Sequence, residues 1–243
     1  MKGLTYVRYE VLRTLRNRRF LIFSLAFPLI LFLSIAGDHR HVRIDGIGFP
    51  LYYMTGMAAW GSMTSVISSG ARIAQERQVG WTRQLRITPL KTTTYFAAKI
   101  LTGYMMALVS IIVLSFAGVS LGVRLPASGW LTMLGLLLVG LIPFTIMGIL
   151  LGHLIKVDSL GPAIGGITSI FALLGGVFGP LVTGGALLNV VKALPSYWLV
   201  QAGKSALLGG HVWTGEAWIV IAVWSIVLAR LAARVYSRDT AKV

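Results

Sequence analysis

Arg72-Ile73-Ala74-Gln75-Glu76-Arg77-Gln78-Val79-Gly80-Trp81-Thr82-Arg83-Gln84-Leu85-Arg86-Ile87-Thr88-Pro89-Leu90 is a basic, polar stretch in a chain that is otherwise oily. Charged residues make up 12% of the 243 residues and apolar ones 56%, so the charges concentrated here stand out against their surroundings. Such a stretch is too polar to lie in hydrocarbon, where each ionised side chain is costly. It joins two long apolar runs, 50–71 and 100–122. That arrangement describes a membrane protein holding a short charged helix out in water, within reach of a soluble partner.

Working outward from it, the apolar residues cluster into long charge-poor runs. A hydrocarbon core about 30 Å thick needs roughly 20 apolar residues in a helix. Six runs approach that length: 20–36, 50–71, 100–122, 130–152, 159–182 and 217–233. A closed barrel would instead show alternating segments of about ten residues. The pattern therefore predicts an all-α polytopic membrane protein with six transmembrane helices in a single transmembrane domain, 1–243. Arg230 and Arg234 fall at the end of the sixth run at i, i+4, and both must snorkel toward one interface.

Six spans put both termini on one side. Segments 1–19, 72–99, 153–158 and 230–243 carry six, six, one and four of the 22 Lys and Arg residues, whereas the opposite loops hold only Arg40, Arg43, Arg124, Lys192 and Lys204. The positive-inside rule places the richer side, with both termini, in the cytoplasm. The net charge of +15 is then topology plus attraction to membrane lipids. It is spread over separate segments with no single aromatic-interleaved stripe, which argues against nucleic acid as a partner.

Residues 4–15 place Leu4, Val7, Val11 and Leu15 on one helical face with Arg13 and Arg16 opposite, predicting an amphipathic interfacial helix over 1–19. A leader cleaved after Ser34-Ile35-Ala36 would need no such pattern. In 183–216, Gly184-Gly185, Pro195 and Gly209-Gly210 break an apolar stretch into two pieces, about 186–193 and 196–208, too short to span. These read as re-entrant or interfacial outer helices, with Tyr197, Trp198 and Trp213 at headgroup level.

Catalytic signatures are weak. Gly203-Lys204-Ser205 ends like a phosphate-binding loop, but Trp198 stands where the first glycine belongs. His39 and His41, near Asp38 and Asp45, bring no full ligand set, so no metal site is expected. There is no G-x-S-x-G, and the seven acids are scattered. No cysteine is present, which excludes disulfide and thiolate chemistry. Spans one to five carry no ionisable residue at mid-membrane, where ion-coupled transport would ordinarily place one. An intramembrane lipid-modifying enzyme and an ATP-independent carrier or channel stand as the alternatives to the reading below. Small residues recur at helical spacing: Gly61, Ser65 and Ser69; Gly118 with Gly122; Gly148 with Gly152; and Gly161, Gly165, Gly175 and Gly179. They permit close contact, within one subunit or at a dimer seam.

The segment between spans two and three, with Glu76-Arg77, Gly80, Trp81, Leu85 and Thr88-Pro89-Leu90, resembles the permease subunits of type-2 ABC exporters, those for drugs or antibiotics among them. The likeness extends to the amphipathic start, the six-span layout, the broken outer segment and Leu194-Pro195-Ser196-Tyr197-Trp198. It implies that 72–89 forms a cytoplasmic coupling helix docking on a separate ABC ATPase, present in two copies, and that a second permease copy, identical or related, completes the pathway. ATP and Mg would be bound by the ATPase, with no cofactor in this chain. The implied location is a bacterial plasma membrane, and the implied activity is outward movement of an amphipathic small molecule. In this chain the ATPase-coupling residues would be Ile73, Glu76, Arg77, Gly80, Trp81, Leu85 and Pro89.

The residues suit that role in themselves. On a continuous helix Ile73, Arg77, Trp81 and Leu85 share one face at i+4 steps, an aromatic and aliphatic anchor beside an arginine. An Arg72–Glu76 pair would be worth only about 0.2–0.5 kcal/mol, leaving Glu76 able to serve another partner. Gly80 weakens the helix by about 1 kcal/mol, and Pro89 ends it. For a pathway wall the best candidates are Met57, Trp60 and Thr64 on span two, with Phe171 and Phe178 opposite on span five.

Overall fold

The computed structural model describes residues 2–44, 46–81, 84, 87, 88, 90–179, 184–205 and 213–241. The chain is almost wholly helical: α1 (Lys2–Arg16), α2 (Arg18–Asp38), α3 (Phe49–Ala71), α4 (Ile73–Gln78), α5 (Thr92–Ser120), α6 (Ala127–Gly140), α7 (Ile142–Leu154), α8 (Val157–Gly175), α9 (Ala186–Lys192), α10 (Pro195–Ser205) and α11 (Gly215–Ala241). A small antiparallel hairpin, β1 (Arg43–Ile44) with β2 (Ile47–Gly48), links α2 to α3 and reverses at Gly46, whose φ of +78° suits glycine. Two-residue strands are too short to leave an alternating pattern, so the hairpin was not foreseen.

Among the described residues four helical stretches are long and apolar enough to cross a membrane: Thr92–Ser120, Ala127–Leu154, Val157–Gly175 and Gly215–Arg238. They correspond to the third to sixth predicted runs. α2 and α3 occupy the places of the first two. α3 falls short of that apolarity because glycine, serine, threonine and tyrosine crowd it, yet 20 of its 23 residues are buried. It is the central helix, packed by α2, α5, α7, α8 and α10. Three of its serine hydroxyls are satisfied by backbone carbonyls, Ser65 by Gly61 (2.8 Å), Ser62 by Ala59 (3.0 Å) and Ser69 by Lys99 (3.1 Å).

Helix ends depart from the predicted runs for identifiable reasons. α5 begins at Thr92, eight residues before the expected start, because Lys99, the charge that bounds the apolar run, is buried with partners. α8 stops at Gly175 rather than near 182: Gly176 takes φ +78°, and the Gly176 and Val177 amides close onto the Leu173 and Ala172 carbonyls. The fourth run is one helical path divided at Leu141, just before Pro143, which has no amide to donate.

The predicted outer pieces appear as α9 and α10, but α10 is packed within the bundle rather than laid on its surface. Trp198 and Trp213 are buried against the rest of the chain, and Tyr197 is half-buried. Trp198 satisfies its indole inside, donating to the Lys192 carbonyl at 2.7 Å.

Small residues set the closest approach. A Cβ on Gly148 of α7 would lie 2.5 Å from the Ile67 carbonyl oxygen of α3, and one on Gly70 would lie 2.5 Å from Gly148 itself. Gly148→Ala should therefore destabilise the purified protein by about 1–3 kcal/mol, lowering its thermal unfolding temperature in detergent. Gly135→Ala, where nothing lies within 4 Å of the added carbon, should leave it unchanged or slightly raised.

Candidate functional site

The polar segment leaves the bundle as a nearly unbroken continuation of α3. Arg72 sits at the junction with helical angles, and α4 runs six residues before Val79 ends it. Gly80 then takes φ +71°, a conformation costly for other residues, so the helix breaks there. The chain resumes a turn beyond the break, with the Gln84 amide on the Gly80 carbonyl at 3.2 Å. The single helix expected over 72–89 is thus divided, and Ile73 and Trp81 do not share one continuous face. Leu85 and Pro89 lie outside the described residues.

The two halves differ in what they expose. Ile73 is fully buried and Ala74 nearly so, α4 packing on α7 and α8. Glu76 is 3% exposed. Flanking the break and beyond it, Val79 is 74% exposed, Trp81 37% and Ile87 88%. These three are the exposed large apolar side chains among the described residues of the segment; Val79 and Ile87 escaped the sequence reading.

Behind α4 lies a buried charge cluster. Lys99 of α5, 2% exposed, donates from Nζ to Glu76 Oε1 and Glu10 Oε1, each at 2.5 Å. Tyr95 donates its hydroxyl to Glu76 Oε2 at 2.7 Å, and Arg13 Nη1 reaches Glu76 Oε1 at 3.3 Å. Arg72 Nη1 donates to Thr14 Oγ1 at 2.9 Å. The other partner that Glu76 could serve is therefore in this chain. Burial pushes the Tyr6 hydroxyl well above the usual phenol range, and the Glu10 and Glu76 carboxylates push it further, so it stays protonated. Burial pulls the Arg72 guanidinium below its ordinary value.

Arg77 points the other way. Its Nη1 donates to the His153 carbonyl at 2.6 Å and the Gly152 carbonyl at 3.3 Å, at the end of α7. Those belong to the last carbonyls of a helix, which lack intrahelical partners and carry the negative end of its dipole, so a guanidinium is well matched there. Gly152 admits this approach: a Cβ there would lie 2.7 Å from the Gly70 carbonyl oxygen. The segment is thus fastened to α1 and α5 through Glu76 and to α7 through Arg77. Lys99, Glu10 and Tyr95 were missed from sequence. The available signal was a lysine at the edge of an apolar run in a chain with so few acids.

The other predicted residues scatter. Met57 is fully buried in α3, and Thr64 is half-buried. Trp60 meets Phe178 edge-on at 5.6 Å and Phe27 at 5.5 Å, so that pair does come together. Phe171 instead packs on Phe144 (5.5 Å) and Trp224 (6.3 Å). Of the glycines, Gly175 fits against the Ser196 backbone, where a Cβ would lie 2.9 Å from its carbonyl oxygen. A Cβ added to Gly161, Gly165 or Gly179 would meet nothing within 4 Å among the described residues.

Two carboxylates on one buried ammonium make a testable unit. Lys99→Met should cost about 3–5 kcal/mol by leaving two buried carboxylates with only the exposed Arg13 as counter-charge, whereas Glu10→Gln, Glu76→Gln and Lys99→Met together should recover most of that loss. Thermal unfolding of the purified single and triple variants measures the difference.

Residues 47–234 match the family described as ABC-2 family transporter protein. The chain is also 28% identical over 205 residues to the "Putative transport permease YvfS" of Bacillus subtilis (strain 168), covering 83% of each chain. Membership implies an ABC ATPase as partner. Several apolar helices, a polar segment locked to three of its neighbours and a match over most of the length agree: the chain belongs to the ABC-2 transporter family, as a multi-pass membrane permease.

Proposed function

We propose that this permease is half of an ATP-driven exporter, moving an amphipathic drug-like, antibiotic-like or lipid-like molecule out across a bacterial plasma membrane. In this reading α2, α3, α5, α6 with α7, α8 and α11 are the six spans, and both termini lie in the cytoplasm with the segment 72–88. Two ABC ATPase subunits, each holding ATP and Mg, serve two permease copies. The name of the Bacillus subtilis relative, "Putative transport permease YvfS", is in keeping with this.

The observation that carries the reading is the division of the polar segment at Gly80 into an exposed apolar tip and a buried, charge-fastened stem. The tip has the residue types of an interface anchor, an aromatic with aliphatic neighbours. The stem ties it to two apolar helices, through Glu76 to Lys99 of α5 and through Arg77 to the end of α7. A displacement of the tip by the ATPase would reach both helices, because close-packed elements shift as bodies rather than deform. Trp60 with Phe178 is the part of the pathway wall we retain, the half-exposed Phe178 offering an apolar surface to cargo.

Two outcomes separate binding from transmission. Val79→Ala with Trp81→Ala should weaken association with the ATPase by about 2 kcal/mol or more, roughly thirtyfold, measured by co-purification in mild detergent. Arg77→Ala should leave the ATPase bound but lower cargo-stimulated ATP turnover. Undiminished association and transport in the Val79/Trp81 variant would sink the proposal.

A further inference from the structure

α11 is exposed along one face, and the chemistry of that face changes partway down. Trp218, Ile219, Val223, Ile226 and Val227 are all exposed and apolar. Four residues after Ile226 comes Arg230, then Arg234 and Arg238, all exposed. Each step of four turns about 40°, so the three arginines follow the Val223–Val227 side of the same exposed face, Arg238 about 80° around from Arg230. None of them pairs with an acid among the described residues. The inward side is occupied by Leu228, Ala232, Val235 and Tyr236. Tyr236 meets Phe96 at 5.3 Å and His153 at 5.6 Å, which places the arginines at the same end of the bundle as Arg77 and its carbonyl partners.

We infer that Arg230 and Arg234 hold the phosphate of an anionic phospholipid, with Arg238 adding attraction from beyond it. Along the axis the three span about 12 Å, at 1.5 Å per residue. The headgroup zone of one leaflet is about 5–7 Å deep. The ladder therefore outreaches the zone: with Arg230 at the acyl boundary, Arg234 stands at the aqueous edge and Arg238 beyond it. Guanidinium groups bind phosphate oxygens two at a time, and two of them one helical turn apart can close on one phosphate from both sides. An acidic protein surface would match the charges equally well. It would not account for the apolar stripe that runs directly into them, which is where acyl chains attached to that phosphate would lie. The inference depends on α11 crossing the membrane and is independent of the ATPase and the cargo.

The test is native mass spectrometry of the purified full chain titrated with phosphatidylglycerol or with phosphatidylcholine of the same acyl chains. The wild type should retain phosphatidylglycerol at least tenfold better, and added salt should weaken that preference. Arg230→Gln, Arg234→Gln and Arg238→Gln together should abolish it, and Arg234→Gln alone, the milder change should the triple variant not fold, should reduce it about fivefold. An equal affinity of the wild type for both lipids, or an undiminished preference in Arg234→Gln, would overturn the inference. So would a triple variant that keeps its lipid preference but releases a protein partner, since the face would then be a protein dock.

Discussion

A lysine buried to 2% among apolar helices is tolerable only if its charge is met, and here two carboxylates meet it. The cost of stripping water from an ammonium is several kcal/mol even after relaxation. That cost makes Glu10 and Glu76 obligatory to one another's placement, though they sit in helices far apart in sequence. Once Lys99 is held, α5 can begin at Thr92, α4 must stay against it, and α1 must turn its acidic side inward. The outward side of α1 then carries Leu4, Tyr9, Leu12 and Leu15 together with Arg8, Arg13 and Arg16, a mix of apolar and basic side chains suited to the membrane surface. The burial of Glu10 in that helix follows from the single cation it meets.

The fold was legible where hydrophobicity alone decides it. Long apolar runs marked every major helix, because a segment of that length without charges has few other stable environments. Ends were less legible. The stop at Gly175 depends on Gly176 adopting a left-handed backbone, which glycine permits but does not require, and the early start of α5 depends on a lysine whose partners are 23 and 89 residues away. α3 shows the same limit from the other side. Its serines and glycines weaken it as a lipid-facing helix and qualify it as a central one, and only packing distinguishes the two.

The site was half legible. Trp81 reads as an anchor because a tryptophan in a charged segment invites a partner, and the structure shows only that it is partly accessible. Glu76 and Arg77 were grouped with it by helical spacing, but Gly80 cancels that spacing, and both point into the chain. A periodicity argument holds only as far as the helix continues, and one positive φ ends it. Trp198 is covered by the chain itself, which its sequence context does not reveal: its indole proton is satisfied by the Lys192 carbonyl six residues back, which lets the whole side chain be buried.

The central place of α3 also sets a problem of biogenesis. It is synthesised before most of the helices that cover it, since α5, α7, α8 and α10 all follow it in the chain. α10, whose Gly203 packs against Thr55, is complete only at Ser205. At roughly 5–20 residues per second that leaves α3 incompletely sheathed for on the order of ten seconds. Through that interval a helix rich in serine, glycine and tyrosine must be kept from lipid by the insertion machinery or by the first arriving neighbours. The small residues that allow α7 to close on α3 so tightly thus also determine how long the nascent permease is vulnerable to being mis-inserted or degraded.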